Sequence, residues 1–257
     1  MLRTEPPLPA ARPRLFRGLA AFFECEFRVQ FHERMAIVTS VLVQAVILVF
    51  VGILAPSLLG IALVGATVFS FFTLGGRVQN EAAFVRVDHR LNQLYLASPL
   101  SPESYFLGMS LGVLVAYLPP VAVLAVLSVL VVPLPAVDLA ILLGASAAVW
   151  VFSVSLGYVI STLFRDMRAI WPYQSIIYNL FGVVPPVFYP LASFPENLRW
   201  VALVIPPSAA AGLVQWSIGA VALSSSEVAL AAGSLAALAV GMFLFAVSWA
   251  RRTVREN

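Results

Sequence analysis

Residues 185–208 read PPVFYPLASFPENLRWVALVIPPS and hold six of the chain's 18 prolines, together with Glu196 and Arg199. Proline lacks the N–H that a helix interior uses and locks its own φ, so no straight helix runs through this stretch. Yet the stretch is mostly apolar, and the sequence on either side is apolar enough to cross a bilayer. The whole chain has the same character: 257 residues, 61% hydrophobic and 11% charged, with a mean hydropathy of +0.97. Soluble domains carry about 25% charged residues. Fifteen basic and 12 acidic side chains are too few to cover a soluble fold of this length. The solvent of this chain is lipid, and helices that are apolar all round are the expected element.

Crossing the hydrocarbon core takes about 20 mostly apolar residues. Six runs qualify: 36–55, 57–76, 105–132, 137–164, 169–189 and 227–250. Pro-Leu-Pro at 133–135 separates the third from the fourth, and Arg-Asp-Met-Arg at 165–168 separates the fourth from the fifth. The arginines orient them. Positions 3, 12, 14, 17, 28 and 34 precede the first run; 77, 86 and 90 follow the second; 165 and 168 follow the fourth; 251, 252 and 255 follow the last. Only Arg199 falls on the other side. The positive-inside rule then places both termini in the cytoplasm and the proline-rich stretch outside. No long apolar run occupies the first 35 residues, so no cleavable signal is expected.

The expected architecture is an all-α integral membrane protein of the cell membrane. Residues 1–34 form a cytoplasmic N-terminus, 35–250 a six-span domain and 251–257 a cytoplasmic tail. Within 14–34, Phe16, Leu19, Ala20, Phe23, Phe27 and Phe31 recur at helical spacing, with Glu24 and Arg28 as an i,i+4 pair on another face. This amphipathic helix is expected to lie in the inner headgroup layer. Residues 77–104 are the longest polar interval between spans, suited to docking another protein or serving as a plain solvated loop. Residues 190–222 are apolar but broken. They are expected to dip into the membrane as a re-entrant hairpin of short helices, or to form an interfacial loop anchored by Trp200 and Trp216.

Catalytic constellations are missing from the sequence. His32 and His89 are single and far apart, Cys25 is the only cysteine, and Asp138 and Glu227 stand beside outer span boundaries. No G-x-S-x-G, H-E-x-x-H or G-x-x-x-x-G-K-[ST] motif is present, so ATP hydrolysis by a phosphate loop in this chain is not expected. The polar groups inside the spans are uncharged. Gln44 lies in the first; Tyr173, Gln174, Ser175, Tyr178 and Asn179 cluster in the fifth, with 174/178 and 175/179 one turn apart. Such groups make interhelical hydrogen bonds worth ~0.6–2 kcal/mol each, or line a substrate path or dimer seam. Pro119-Pro120 and Pro172 predict kinks or breaks.

Two segments, LNQLYLASPLSPESYFLGMSL at 91–111 and FYPLASFPENLRWVALVIPPSAAAGLVQWSIG at 188–219, complete a pattern. With the amphipathic leading helix, six spans and a docking-sized loop after the second, they resemble the membrane subunit of ATP-binding cassette type-2 exporters. The similarity runs over nearly the whole chain; Met109 departs from a frequent lysine, and Pro-Pro-Ser at 206–208 from a usual Asn-Pro. The resemblance implies a permease that is not itself an enzyme and works as a pair, with a second copy or with a related chain. ATP and Mg would be bound by a separate ATPase pair, with no cofactor here. It implies coupling to that ATPase through Glu81, Phe84, Arg86, Asp88, Arg90, Leu91 and Leu94, with a smaller contact at Arg165 and Asp166. It also implies an outer gate containing Phe188, Tyr189, Pro190, Phe194, Pro195 and Trp200. The apolar character of the spans favours a drug-like or lipid-like substrate moved outward, a cell-surface glycan being the alternative. An integral membrane enzyme and a non-transporting scaffold or sensor are the rival classes, and neither nucleic acid nor metal is expected.

Overall fold

The computed structural model describes residues 15–32, 34–87, 101–164 and 166–253. These residues form helices and connecting turns, with no strand among them. The helices are α1 (Leu15–His32), α2 (Arg34–Leu54), α3 (Leu59–Val87), α4 (Pro102–Val131), α5 (Ala136–Leu163), α6 (Met167–Val183), α7 (Arg199–Ala202), α8 (Pro206–Ser217) and α9 (Ser225–Thr253). Among them four segments are long and apolar enough to cross a membrane: Pro56–Val87, Pro102–Val131, Ala136–Leu163 and Ser225–Arg252. Glu196–Ala202 and Pro206–Ser217 form an apolar pair bent by 110°, which makes a fifth if counted as one broken span.

The boundaries differ from the sequence reading in three places, each for a physical reason. The second expected span stops at Gly76, whereas α3 continues without interruption to Val87. Its polar continuation is sheltered by protein: Val78, Gln79, Ala82 and Ala83 are buried. The expected fifth span ends early, at Val183, because Pro185 and Pro186 follow. At 1.5 Å per residue the 17-residue α6 is about 25 Å long, shorter than a hydrocarbon core of about 30 Å. Conversely, Pro119 and Pro120 lie inside α4 without ending it, and Pro172 inside α6. Membrane helices tolerate such interruptions, because neighbouring helices and local readjustment can satisfy the freed backbone groups.

Helix α3 is the hub. Two thirds of its membrane-crossing window is buried, 67% against 17% for α9. Its closest partner is α5, and small residues explain the approach. A methyl group on Gly75 would sit 2.2 Å from the Ser153 carbonyl oxygen, and one on Gly157 would sit 2.0 Å from the Gly75 oxygen. Lipid tails give apolar helices no hydrophobic reason to associate, so backbone-on-backbone dispersion contact of this kind supplies the attraction.

A second small-residue groove, Gly108-x-x-x-Gly112 on α4, receives α1. A methyl on Gly108 would lie 2.9 Å from Phe22 Cβ, and one on Gly112 would lie 2.7 Å from Glu26 Cβ. The amphipathic helix is therefore docked on protein along Phe22, Glu26 and Gln30, all buried, with Gln30 Nε2 donating to Glu26 Oε1 at 3.0 Å. The aromatic stripe Phe23, Phe27 and Phe31 stacks alongside, with ring centres 6.2 and 5.6 Å apart. Phe31 remains half-exposed, available to an apolar phase.

Two buried clusters stack along the helix axes. One is centred on Phe69, Phe72, Leu142, Val149, Leu191, Ala210 and Val214, beside the proline-rich connection. The other, with Phe106, Met109, Tyr158 and Ala246, lies at the arginine-rich end. There Arg251 pairs with Glu103, joining the end of α9 to the start of α4.

Candidate functional site

Between α2, α3, α4 and α6 lies a cleft of about 290 Å³. From α2 it takes Gln44, from α3 Ser70, Thr73 and Arg77, from α4 Tyr117 and Pro120, and from α6 Gln174, Ser175, Tyr178 and Asn179. The wall on α3 follows from helical spacing: 70, 73 and 77 are three and four residues apart and share one face. Five of the six polar residues singled out in the sequence, Gln44, Gln174, Ser175, Tyr178 and Asn179, converge on this space. The sixth, Tyr173, is half-exposed outside it, with its ring 4.8 Å from that of Phe164.

Hydrogen bonds fix the walls. Ser70 Oγ lies 2.9 Å from Gln44 Oε1 and 2.8 Å from its own helix's Ala66 carbonyl, so one proton serves two acceptors. Tyr178 is buried and its hydroxyl reaches the Ser153 carbonyl at 3.4 Å, beneath the Gly75 contact. The Gln174 amide rests on the α3 backbone: a methyl on Gly76 would be 2.7 Å from its Nε2. The Arg77 guanidinium sits over the Tyr117 ring, 5.4 Å from its centre, within reach of a cation–π attraction. Val41, Val43, Phe69, Val121 and Leu124 complete an otherwise apolar lining. The arrangement offers hydrogen bonds, one cation and an apolar wall to a ligand; it offers no nucleophile paired with a base.

At the arginine-rich end, Arg86 turns toward the last turn of α5. Its guanidinium donates to the Thr162 carbonyl at 2.9 Å and to those of Ser161 and Phe164. These are carbonyls a helix end leaves without partners, and the cation meets the negative end of the helix dipole. Glu81 is half-buried and Phe84 exposed on the same stretch of α3. Asp166 is exposed and caps α6 by accepting from Arg168 N at 2.9 Å. Asp88, Arg90, Leu91, Leu94 and Arg165 lie outside the described residues.

At the opposite end, Gln215 on α8 organises the proline-rich connection. Its Oε1 accepts from Leu191 N at 2.9 Å, and its Nε2 donates to the Tyr189 carbonyl at 3.2 Å, with the Pro186 carbonyl at 3.5 Å. Phe188 is buried edge-on against Phe69, 5.2 Å between ring centres, and Val187 lies on Gly65. The Tyr189 hydroxyl donates to the Val184 carbonyl at 2.6 Å. Pro190 and Phe194 are half-buried; Pro195 and Trp200 are exposed. The expected gate residues thus divide between a buried footing and an exposed rim.

Three side chains that matter here were not among the sequence candidates. Arg77 and Tyr117 belong to the cleft, and the Ser70, Thr73, Arg77 spacing on one helical face is a signal that could have found the former. Gln215 is a lone amide in an apolar run, a pattern that says buried polar group but not which backbone it binds.

Comparison with curated proteins finds no match to the chain. The family model described as ABC-2 family transporter protein matches residues 50–248, which takes in α3 to α8, most of α9 and the cleft walls other than the one on α2. The match agrees with the four segments long and apolar enough to cross a membrane, and this chain belongs to the ABC-2 family of transporter proteins.

Proposed function

We propose that this membrane protein is the permease subunit of an ATP-driven exporter for a hydrophobic or amphipathic, drug-like or lipid-like substrate. The observation that carries the reading is the cleft: Gln44, Gln174, Tyr178 and Asn179 come from two helices remote in sequence and meet around one space between apolar helices. Scattered interhelical hydrogen bonds would not need to converge in this way. A glycan path would call for a wide aromatic-lined channel, whereas Val41, Val43, Leu74, Val121 and Leu124 make most of the apolar wall here aliphatic.

In this reading α2 and α6 count as spans, which brings the total to six and leaves both termini in the cytoplasm. The α7–α8 elbow is then a re-entrant hairpin on the outer face, with 190–222 as gate. Residues 77–104 couple to a separate ATPase pair, which binds ATP and Mg, and Arg165 and Asp166 add a smaller contact. A second permease, identical or related, completes the path against the exposed faces of α2 and α6. Arg86 links the two inner contacts, since it belongs to the first and donates to the Thr162 carbonyl near the end of α5, just before the second.

The test is ATP hydrolysis in vesicles containing this chain and the ATPase that co-purifies with it. Hydrophobic amphiphiles should raise the rate, and Leu91→Glu or Leu94→Glu should abolish ATPase association without affecting membrane insertion. Normal association in both variants, or a rate indifferent to every amphiphile tried, would count against the coupling.

A further inference from the structure

Of the described side chains that line the cleft, Arg77 is the one of a charged type. It stands ten residues, about 15 Å, before the end of α3. A cation among apolar helices is kept where it faces a polar cavity or a partner. Here it faces the cleft, with its flat cation laid on Tyr117.

The lining is graded along the helices. Because α2, α4 and α6 run in one direction and α3 runs opposite to them, Thr39, Thr73, Arg77 and Gln174 gather toward the arginine-rich end. Val43, Phe69, Val121 and Leu124 lie further toward the proline-rich end. The cleft is open on one side, where Val41, Val43, Ser175 and Asn179 on its border are exposed, so a ligand held in it can extend beyond it.

We propose that the cleft binds the anionic head of a membrane amphiphile, a phosphate or carboxylate carried on an apolar chain. Arg77 is the charge-recognising residue, and Gln174 the hydrogen-bonding neighbour. The head sits at the Arg77 level, and the chain passes over Val43 and Leu124 and out of the cleft. Guanidinium suits this role because its fork of donors matches two oxygens of one anion while its face keeps the aromatic contact. The assignment deepens the permease reading and rests on it for its meaning as a substrate site, although binding itself is independent of transport.

The test uses the full chain in nanodiscs of equal phosphatidylglycerol and phosphatidylcholine, released intact into a mass spectrometer that counts the lipids retained. Wild type should retain the anionic lipid in clear excess, and Arg77→Gln should cut that excess about tenfold, the scale of one charge-assisted contact. Arg77→Lys should keep most of it, and Arg28→Gln, which removes an exposed arginine from α1, should leave it unchanged. Should Arg77→Gln fail to fold, Gln174→Glu places a negative charge in the same cleft and should lower anionic retention as well. Equal retention of the two lipids by wild type, or a wild-type ratio in the folded Arg77→Gln or Gln174→Glu variant, overturns the proposal. ATPase stimulation separates the two claims. Anionic retention without stimulation keeps the binding site and removes the transport reading; stimulation by neutral amphiphiles without anionic preference does the reverse.

Discussion

Gly75 and Arg77 are two residues apart on one helix and meet opposite surroundings. Gly75 lies so close to α5 that its missing side chain is the condition for contact, while Arg77 looks across α3 into the cleft. Two residues rotate the direction by about 200° around a helix. One helix thereby carries a dry seam on one side and a polar hollow on the other. The seam is built from absent atoms and the hollow from present ones, so the two should respond to substitution in opposite ways. Filling the seam should damage the fold. Changing the hollow should damage recognition while leaving the fold nearly intact.

The largest effect is expected at the seam. Gly75→Val or Gly157→Val puts side-chain carbon where the opposing backbone already stands. The helices must separate, and overpacking of this kind costs about 1–3 kcal/mol or more. Thermal unfolding in detergent should show a clearly lower midpoint for both variants, with loss of monodisperse protein on size exclusion. A midpoint unchanged in either would mean that the seam is looser than described.

An intermediate effect is expected at Gln215, which belongs to neither face and pins the connection that closes one end. Gln215→Ala leaves the Leu191 N–H and the Tyr189 carbonyl without this partner, at about 1–3 kcal/mol for each buried group left unsatisfied. Hydrogen exchange should accelerate at the Leu191 amide first, with α5 and α9 protected as before. If the whole molecule loosened together, the clamp would be a general stabiliser and the comparison between regions would lose its sharpness.

The smallest effect on stability is expected in the hollow. Gln44→Leu removes one hydrogen bond, but Ser70 retains its bond to the Ala66 carbonyl, so the cost should stay near 0.6 kcal/mol and under about 2. Amphiphile-stimulated ATP hydrolysis should nevertheless fall severalfold. A large loss of stability with normal stimulation would reassign Gln44 to the structural side.

Much of this division was legible in the residues. Composition excludes a soluble fold, the apolar runs locate α3, α4, α5 and α9, and the polar cluster at 173–179 names most of the α6 wall. Arg77 was read only as the inner flank of a span, because hydropathy registers a charge there; its place on the cleft wall comes from the helix α3, which continues ten residues beyond it. Glu24 and Arg28 were read as a polar face of the amphipathic helix, and they are exposed. Glu26 and Gln30 were not singled out; they lie on its buried side, because the Gly108/Gly112 groove accepts them as a hydrogen-bonded pair. Periodicity identifies faces, and the neighbouring helix selects which face is covered.

The sequence by itself determined that lipid surrounds this chain, that helices are its only economical element there, and where proline forbids them to continue. Those are local properties, set by each residue's own polarity and backbone chemistry. Which helices touch through missing side chains, and that four helices leave a cleft with one arginine in it, only the tertiary structure decided. Contact distance and enclosure depend on residues far apart along the chain, and the tolerance of a backbone contact is a few tenths of an ångström, finer than any pattern of residue types records.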